Sequence, residues 1–585
     1  MSDHQFGARL TSQGVWFRLW APGARRVDLV LAQRHEMQRG AGGWFAIDVP
    51  GATAGTRYKF RIDDEVDVPD PASFFQPDDV FGFSEVIDHA QYAWRARDWR
   101  GRPWHETVLI ESHVGTFTEQ GTYRAAIDKL DHLVQSGITA LELLPLADFA
   151  GQRNWGYDGV LWYAPDSAYG RPDDLKALID EAHLRGLTVF LDVVYNHFGP
   201  EGNFLGRYAP SFFTDAETPW GRVIDYRVPE VRSFAIENAL SWLRDYRFDG
   251  LRLDAVNAII EPGEISMLHD LSAAVGQLAA ETDRHIHVVL ENGDNLASLL
   301  DAVQDPPQGK FRAQWNDDYH HCWHVLLTGE RNGYYGDYGT PLQDLARALG
   351  SGFVYQGEAS AFRDGHLRGE ASGGLSPTAF VNFLQNHDQI GNRALGDRLE
   401  STADAKAIEA ALVITLLAPM VPMLFMGEEW GSRQPFPFFC DFKGDLADAV
   451  REGRRREYDW AYRQYGDQVP DPLDPATFRS AVLDWSERDT RAGRDRLGLV
   501  RRLLAIRAQA IMPRLAGAAF GEAEASDQGL LTGRWRLGDG TDLRLTANLS
   551  TKDIAIPPGQ LGSPIWGEIV GDHMPPWSVC WRVAA

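Results

Sequence analysis

The first part of this 585-residue chain alternates between apolar and polar residues with a period of two. The runs Val15–Leu19 and Arg57–Ile62 show the alternation clearly, and it is typical of half-buried antiparallel strands. The pattern ends near Pro69, and a loop-like stretch continues to Pro103. We therefore predict a small β-sandwich domain at residues 1–100. Three of its tryptophans are better explained by core packing than by sugar binding: Trp16, Trp20 and Trp44.

After Pro103 the period changes, and short apolar strands alternate with amphipathic helices. In two of these helices, at Leu175–Ala182 and Val231–Leu243, apolar residues recur three and four positions apart. Eight strand–helix units in one run favour a closed (β/α)8 TIM barrel of the α/β class, with its chemistry at the carboxyl ends of the strands. We predict this barrel at residues 101–520, with strands at Val108–Val114, Ala140–Leu144, Val189–Val194, Gly250–Asp254, His287–Glu291, Ala313–Asp317, Phe380–Gln385 and Met423–Met426.

The longest nearly apolar run, Ala411–Met426, contains two prolines and is too short to cross a bilayer, so we predict a buried helix followed by a strand. From Gly521 onward the period-two alternation returns, for example in Asp542–Leu549. This pattern predicts a short C-terminal β-domain at residues 521–585.

Charge and cysteine content narrow the partners and the compartment. The chain has 57 Lys and Arg against 82 Asp and Glu, a net charge of −25, which disfavours binding to nucleic acid or to an anionic membrane. The first ten residues do not resemble a secretory signal, and the three cysteines fit neither a disulfide framework nor a zinc site. We therefore expect a cytoplasmic protein.

Four of the predicted strands end in clusters of polar residues: Asp192–His197, Asp249–Asp254, Val289–Asn292 and Gln385–Asp388. A single Asp or Asn at such a position is commonly a helix cap or turn residue. Four clusters meeting at one end of a barrel crowd several carboxylates together, which is unfavourable for stability and calls for a functional explanation.

Cleavage of a glycosidic bond provides that explanation, because a retaining enzyme needs one ionised carboxylate and one protonated carboxyl. We expect Asp254 to be the nucleophile, Glu291 the general acid and base, and Asp388 a group that binds sugar hydroxyls in the transition state. Arg252 points to the same face as Asp254 and can keep it ionised. A retaining mechanism predicts carboxyl groups about 5 to 5.5 Å apart.

The four clusters, in this order, resemble the conserved regions of the α-amylase family of glycoside hydrolases, and the resemblance covers nearly the whole barrel. It implies the same three roles for Asp254, Glu291 and Asp388. It also implies that Tyr157 stacks beneath the sugar being cleaved, with a loop-anchoring aromatic as the alternative. The remaining residues that it places around the substrate are Asp192, Asn196, His197, Arg252 and His387.

Other segments resemble a trehalose-releasing branch of that family: Ala313–His321, Leu326–Glu330, Asn386–Arg393, Met426–Gly431 and Val469–Pro472. The implied substrates are maltooligosyl trehalose and related α-glucans, and the implied reaction is hydrolysis of the α-1,4 bond next to the terminal trehalose. A functional link to the synthase that makes this substrate is also implied, and physical association is left open. One departure is Gly293, where a more acidic run is expected.

Selectivity for the trehalose end requires polar and aromatic residues in the loops beyond the strands. The candidates follow the sixth and eighth strands, and each has a loop-stabilising role as its alternative: Trp315, Asp317, Asp318 and Glu428.

We expect no cofactor and no metal. His320 and His324 would share a helix face, but no motif of a metal site accompanies them, and no acidic loop completes a calcium site around Asn196. Two alternatives to a hydrolase remain open. One is a transglycosylase of the same fold, such as a glucan branching enzyme, and the other is a non-catalytic barrel that binds glycan.

Overall fold

The computed structural model describes residues 5–218, 220–259, 266–302, 309–556, 561–569 and 571–584. Within these ranges, no helix combines the length and the apolar character needed to cross a bilayer.

Two antiparallel sheets form the N-terminal part, one of four strands and one of five. They share an apolar core in which Phe17 of the first sheet packs edge-on against Tyr58 of the second, with ring centroids 4.8 Å apart. The predicted β-sandwich is therefore confirmed. The first sheet comprises Arg9–Leu10, Gly14–Trp20, Gln38–Arg39 and Trp44–Pro50, and the second comprises Val27–Val30, Arg34–Glu36, Arg57–Ile62, Val66–Val68 and Ser84–Glu85.

The tryptophans of this domain make packing contacts. Trp20 is 6% exposed. The guanidinium of Arg18 lies 3.6 Å from the ring centroid of Trp44 and 5.2 Å from that of Trp16. Trp44 also contacts Phe6, which in turn packs against a helix of the barrel. These contacts connect the sandwich to the barrel and agree with the packing role that the sequence favoured.

Eight parallel strands close into a barrel in sequence order, as predicted. Apolar residues at every second position fill its lower interior, among them Leu109, Phe190 and Val289. The strands are β1 Leu109–Ser112, β2 Ala140–Leu143, β3 Thr188–Val193, β4 Gly250–Leu253, β5 His287–Leu290, β6 Ala313–Trp315, β7 Phe380–Asn382 and β8 Val421–Phe425.

The helices around the barrel include the two that the sequence predicted, α1 Pro172–Leu184 and α2 Pro229–Arg244. Proline at the first position of each suits a helix start, because that residue has no N–H to leave unpaired. The predicted helix–strand pair of the apolar run is Ala405–Leu417 followed by β8. Other long helices are Met267–Thr282, Asp317–Thr328, Pro341–Ser351, Gly444–Glu457 and Arg491–Ile506.

Hairpins are inserted after two barrel strands, at Phe213–Ile224 after β3 and at Glu358–Arg368 after β6. The C-terminal β-domain is confirmed, as a five-stranded antiparallel sheet and a smaller two-stranded one. Its larger sheet comprises Ala519–Ala525, Leu530–Arg536, Asp542–Asn548, Ser563–Trp566 and Ser578–Ala584.

Candidate active site

One guanidinium group joins the two acids that follow β4 and β5. Arg252 binds Asp254 Oδ1 through Nη1 at 2.8 Å and Glu291 Oε2 through Nη2 at 2.7 Å. The Arg252 side chain is 1% exposed, whereas the side chains of Asp254 and Glu291 are 14% and 23% exposed. A buried cation therefore pairs with two acids whose side chains remain partly exposed. The sequence predicted the proximity of Arg252 to Asp254 but not its pairing with Glu291.

Asp254 is held by donors on both of its oxygens. Asn196 Nδ2 donates to Asp254 Oδ2 at 2.8 Å and to the Asp254 carbonyl at 3.0 Å. Burial alone would raise the pKa of the Asp254 carboxyl, but Arg252, His197 and Asn196 together lower it below its ordinary value. This acid is therefore ionised at neutral pH.

Glu291 has an additional donor from the backbone. Ala255 has a left-handed conformation (φ 38°), uncommon for a residue other than glycine, and its N–H donates to Glu291 Oε2 at 2.9 Å. Ala255 directly follows Asp254, so the turn that ends β4 also fixes the acid on β5.

The pKa of the Glu291 carboxyl is raised, as a general acid at neutral pH requires. Burial raises its pKa, and Arg252 opposes that rise. The nearby carboxylates of Asp254, Asp317 and Asp388 raise it further, to about 8. The pKa values of the two acids that pair with Arg252 are thus shifted in opposite directions, as acid–base catalysis requires.

Asp388 lies in the first turn of the short helix His387–Gly391, where Asn392 Nδ2 donates to its Oδ1 at 2.7 Å. The preceding His387 is anchored from β1, because its backbone N–H donates to Glu111 Oε2 at 2.8 Å and its Nδ1 pairs with Glu111 Oε1. Burial would lower the pKa of His387, but Glu111 raises it above its ordinary value.

Tyr157 packs against the residue that precedes Asp388. Its ring stacks on His387 with centroids 5.0 Å apart, and its hydroxyl donates to Asp192 Oδ2 at 2.6 Å. The same Asp192 oxygen accepts from Arg252 Nη1 at 2.7 Å. Tyr157 is therefore connected to the guanidinium that carries the two acids.

His197 closes the other side of this cluster. Its Nε2 pairs with the Tyr157 carbonyl at 2.9 Å, and its Nδ1 pairs with Asn196 Oδ1. Its ring also stacks on Trp220, with centroids 5.9 Å apart, and Trp220 is 55% exposed. Asn196 is turned toward Asp254 rather than toward an acidic loop.

Of the four candidates for the trehalose end, the structure brings only Asp317 into the acid cluster. Its side chain is partly exposed. Burial raises its pKa, Arg368 opposes the rise, and Asp388 and Asp318 add to it, so that the pKa reaches about 7.

The other three candidates are buried and correct the expectation that they contact the substrate. Trp315 is 1% exposed, fills the barrel interior, and lies with its ring 4.2 Å from the Arg252 guanidinium carbon. Asp318 is fully buried and accepts hydrogen bonds from Asn295, Tyr338 and the backbone N–H groups of Val354 and Tyr355. Glu428 is 1% exposed and accepts from the Phe425 N–H. All three therefore have the loop- and core-stabilising role that the sequence left as the alternative.

His320 and His324 also have partners within the fold. His320 pairs with the Leu384 carbonyl and with Tyr335, whereas His324 pairs with Glu330. These contacts tie the helix after β6 to the loop that carries Asp388.

The loop after Glu291 explains the departure at Gly293. The Gly293 carbonyl accepts from Arg363 Nη2 at 2.6 Å and from Arg368 Nε at 2.8 Å. Both arginines belong to the inserted hairpin or to the turn inside it. A Cβ at position 293 would approach Arg363 Nη2 to 2.9 Å, so glycine leaves room for this arginine.

Sequence reasoning missed two interior acids, Glu111 on β1 and Glu142 on β2. Both are 1% exposed and lie opposite each other in the barrel register. Their signal was present in the sequence, because a charged residue inside a short apolar strand is seldom buried without a reason.

Three family models match the chain: "Alpha amylase, catalytic domain" at residues 112–220, "Carbohydrate-binding module 48 (Isoamylase N-terminal domain)" at residues 5–73, and "Domain of unknown function (DUF3459)" at residues 518–581. They fall on the first part of the barrel, the N-terminal sandwich and the C-terminal sheet, respectively.

Curated relatives extend the similarity over most of the chain. A malto-oligosyltrehalose trehalohydrolase of Deinococcus radiodurans is 44% identical over 84% of this chain and 81% of its own length. One of Saccharolobus solfataricus is 40% identical over 83% of this chain and 84% of its own length.

A solved structure agrees with this fold along its whole length. The crystal structure of a candidate alpha amylase from Salmonella typhimurium superposes with a TM-score of 0.94 at 44% identity, and covers 99% of this chain and all of that one. The level of identity and coverage in the curated relatives shows that the chain belongs to the malto-oligosyltrehalose trehalohydrolase family of α-amylase-type glycoside hydrolases.

Proposed function

We propose that the protein hydrolyses the α-1,4-glucosidic bond next to the terminal trehalose of maltooligosyl trehalose and releases trehalose. The observation that carries the proposal is the single Arg252 guanidinium shared by Asp254 and Glu291, with one pKa lowered and the other raised to about 8. The names of the relatives support the choice of substrate.

The first chemical step uses both acids. Asp254 attacks the anomeric carbon and forms a glycosyl ester while the bond to the trehalose oxygen breaks. The Glu291 proton passes to that oxygen, so trehalose leaves as a neutral alcohol. We assign Asp388 to the sugar hydroxyls of the flattened ring, and Tyr157 to the floor beneath it.

In the second step Glu291 acts as a base. It takes a proton from a water molecule that attacks the anomeric carbon, and the bond to Asp254 breaks with retention of configuration. We expect Asp254 and Glu291 carboxyl groups about 5 to 5.5 Å apart, as a retaining mechanism requires. Both form ion pairs with Arg252, which supports a close approach.

Asp317 is our remaining candidate for the trehalose end. Its carboxyl is partly exposed and is close enough to Glu291 and Asp388 for their charges to interact. Because its pKa is about 7, the carboxyl can both donate hydrogen bonds to sugar hydroxyls and accept them. The α,α-1,1 linkage of trehalose orients its second glucose differently from the α-1,4 linkage of a maltosyl unit, so the two ends place their hydroxyl groups at different positions.

The test compares two substrates of equal length, maltopentaosyl trehalose and maltoheptaose. We expect rapid release of trehalose and maltopentaose from the first substrate, and much slower cleavage of the second. New α-1,6 branches without trehalose would favour a branching enzyme instead, and binding of either glucan without turnover would indicate a non-catalytic barrel.

A substrate with a trehalose end requires an enzyme that makes it, so we propose a functional link with malto-oligosyltrehalose synthase. We also propose that the protein works in a reducing cytoplasm, which its three free, buried cysteines support: Cys322, Cys440 and Cys580.

A further inference from the structure

Glu111 and Glu142 form a matched pair with different surroundings. They lie opposite each other on β1 and β2, and each is 1% exposed. Both carboxylate oxygens of Glu111 pair with His387. Across the residues that the structure describes, no protein group hydrogen-bonds either Glu142 oxygen. An ionised carboxylate in that position would be strongly unfavourable.

Glu142 lies between the apolar floor of the barrel and the acids above it. Ala140, two residues earlier on the same side of β2, belongs to the floor. Glu142 is in register with Phe190 of β3, and Asp192 follows two residues later on the inward side. With a rise of about 3.3 Å per residue and strands about 4.8 Å apart, the Cα atoms of Glu142 and Asp192 are about 8 Å apart. Two acidic side chains span that distance directly or through one water molecule.

Asp192 has a buried carboxylate oxygen to which a protonated Glu142 can donate. Its Oδ2 accepts from Tyr157 and Arg252. Its Oδ1 is buried, and no protein group in the described ranges donates to it. A neutral carboxyl group carries one O–H donor, whereas an ionised one carries none.

The charges around Glu142 favour its neutral form. Burial raises the pKa of Glu142 far above its ordinary value, and Glu111 and Asp192 raise it further, against the opposing effect of Arg252. Asp192 itself is faced by Tyr157, Arg252, Asp254 and His387.

We propose that Glu142 is a positioning residue, a neutral acid whose O–H donates to Asp192 Oδ1 directly or through one buried water molecule. It thereby keeps Asp192 ionised and aimed at Tyr157 and Arg252. The inference rests on the proposed function, because Tyr157 is assigned there to the floor of the sugar site.

Two substitutions separate hydrogen bonding from charge and volume. Glu142→Gln keeps a donor, so trehalose release should retain its kcat/KM and its pH profile. Glu142→Leu removes the donor, which should lower kcat/KM about tenfold, because Asp192 then loses a hydrogen bond that aims it at Tyr157 and Arg252. It should also move the acid limb of the profile to higher pH, because a carboxylate that loses a donor has a higher pKa.

Thermal unfolding distinguishes this effect from general damage, since the loss of one hydrogen bond to Asp192 should lower the melting temperature only slightly and leave the variant folded at the assay temperature. Glu142→Met takes the place of the leucine variant if that variant does not fold. The inference is overturned if the apolar variant matches the wild type in kcat/KM and in its acid limb. It is equally overturned if the glutamine variant is as impaired as the apolar one.

Infrared spectroscopy tests the protonation without turnover. At neutral pH, the difference between wild type and Glu142→Gln should contain the carbonyl band of a protonated carboxylic acid, and loss of a carboxylate band would overturn the inference. If the wild type releases no trehalose, the proposed function fails while this measurement still decides the state of Glu142.

Discussion

Two pairs of acids occupy equivalent places at the carboxyl ends of barrel strands, one pair after β4 and β5 and the other after β6 and β8. They differ in their exposure and in the groups that bind their carboxylates. Asp254 and Glu291 share one arginine and keep 14% and 23% of their side chains exposed. Asp318 is fully buried against backbone N–H groups and Arg368, and Glu428 is 1% exposed. A position at the carboxyl end of a strand is therefore not enough to make an acid available to substrate.

The difference lies in what satisfies each carboxylate. Asp318 accepts from Tyr338, Asn295 and two backbone amides, so its oxygens are occupied by the fold. In the first pair, a buried cation neutralises the acids from below and leaves their upper side open. Acids that the fold saturates stabilise loops, whereas acids that share one charge and stay partly exposed are available for chemistry.

The sharpest test of this contrast is Asp254→Asn. It removes the nucleophile, so trehalose release should fall by several orders of magnitude while the melting temperature stays close to that of the wild type. Steady-state kinetics and thermal unfolding measure the two effects, with Glu428→Gln as a control that should keep its turnover. Near-normal rates in the Asp254 variant would contradict the assignment.

The second test is the pH profile of the wild type against Glu291→Gln. The proposed mechanism needs ionised Asp254 and protonated Glu291, so kcat/KM should fall as the pH rises through about 8. On the acid side it should fall first as Asp192, whose pKa burial raises to about 6, takes up a proton, and further as Asp254 does so below the ordinary carboxyl range. The glutamine variant should lose about 100- to 10,000-fold in rate and should lack the alkaline limb. An alkaline limb that persists in the variant would assign it to another group.

The smallest effects on turnover are expected in the saturated acids, where stability changes instead. Asp318→Asn leaves Arg368 without its buried partner and should lower the free energy of unfolding by about 3 kcal/mol. Burial raises the pKa of Glu428 well above its ordinary value, so folding above the ordinary carboxyl range favours uptake of a proton by this group. Glu428→Gln needs no such proton and should therefore keep or increase the free energy of unfolding at neutral pH.

Glu428→Gln should also change how the free energy of unfolding depends on pH. Because its folded pKa is raised, Glu428 stabilises the fold at low pH, and that contribution is lost as the pH rises through the raised pKa. As the pH rises above the ordinary carboxyl range, the free energy of unfolding measured with denaturant should therefore fall more for the wild type than for Glu428→Gln. Strong destabilisation of the variant at neutral pH would show that the group is ionised there.

The eight barrel strands were predictable because each is a short apolar run between amphipathic helices, and all eight lie at the predicted places. The four polar clusters were predictable for the same reason, since a barrel brings the carboxyl ends of its strands together. Trp315 was instead expected at the trehalose end, although it alternates with Ala313 along β6 and both lie in the interior.

The role of Asp318 did not follow from the sequence. Its partners Tyr338, Val354 and Tyr355 lie 20, 36 and 37 residues away, in loops whose paths no local pattern specifies. Glu142 was missed for a different reason. Its importance depends on which neighbouring oxygens lack a donor, and that is a property of the assembled interior.

In the proposed mechanism, the left-handed turn at Ala255 affects which oxygen of Glu291 protonates the substrate. Glu291 Oε2 accepts from the Ala255 N–H and lies 2.7 Å from Arg252 Nη2 in an ion pair, so both groups favour negative charge on this oxygen. In the proposed mechanism we therefore expect the acidic hydrogen on Oε1, and the leaving oxygen to approach that atom. A backbone torsion angle thus contributes to the stereochemistry of proton delivery.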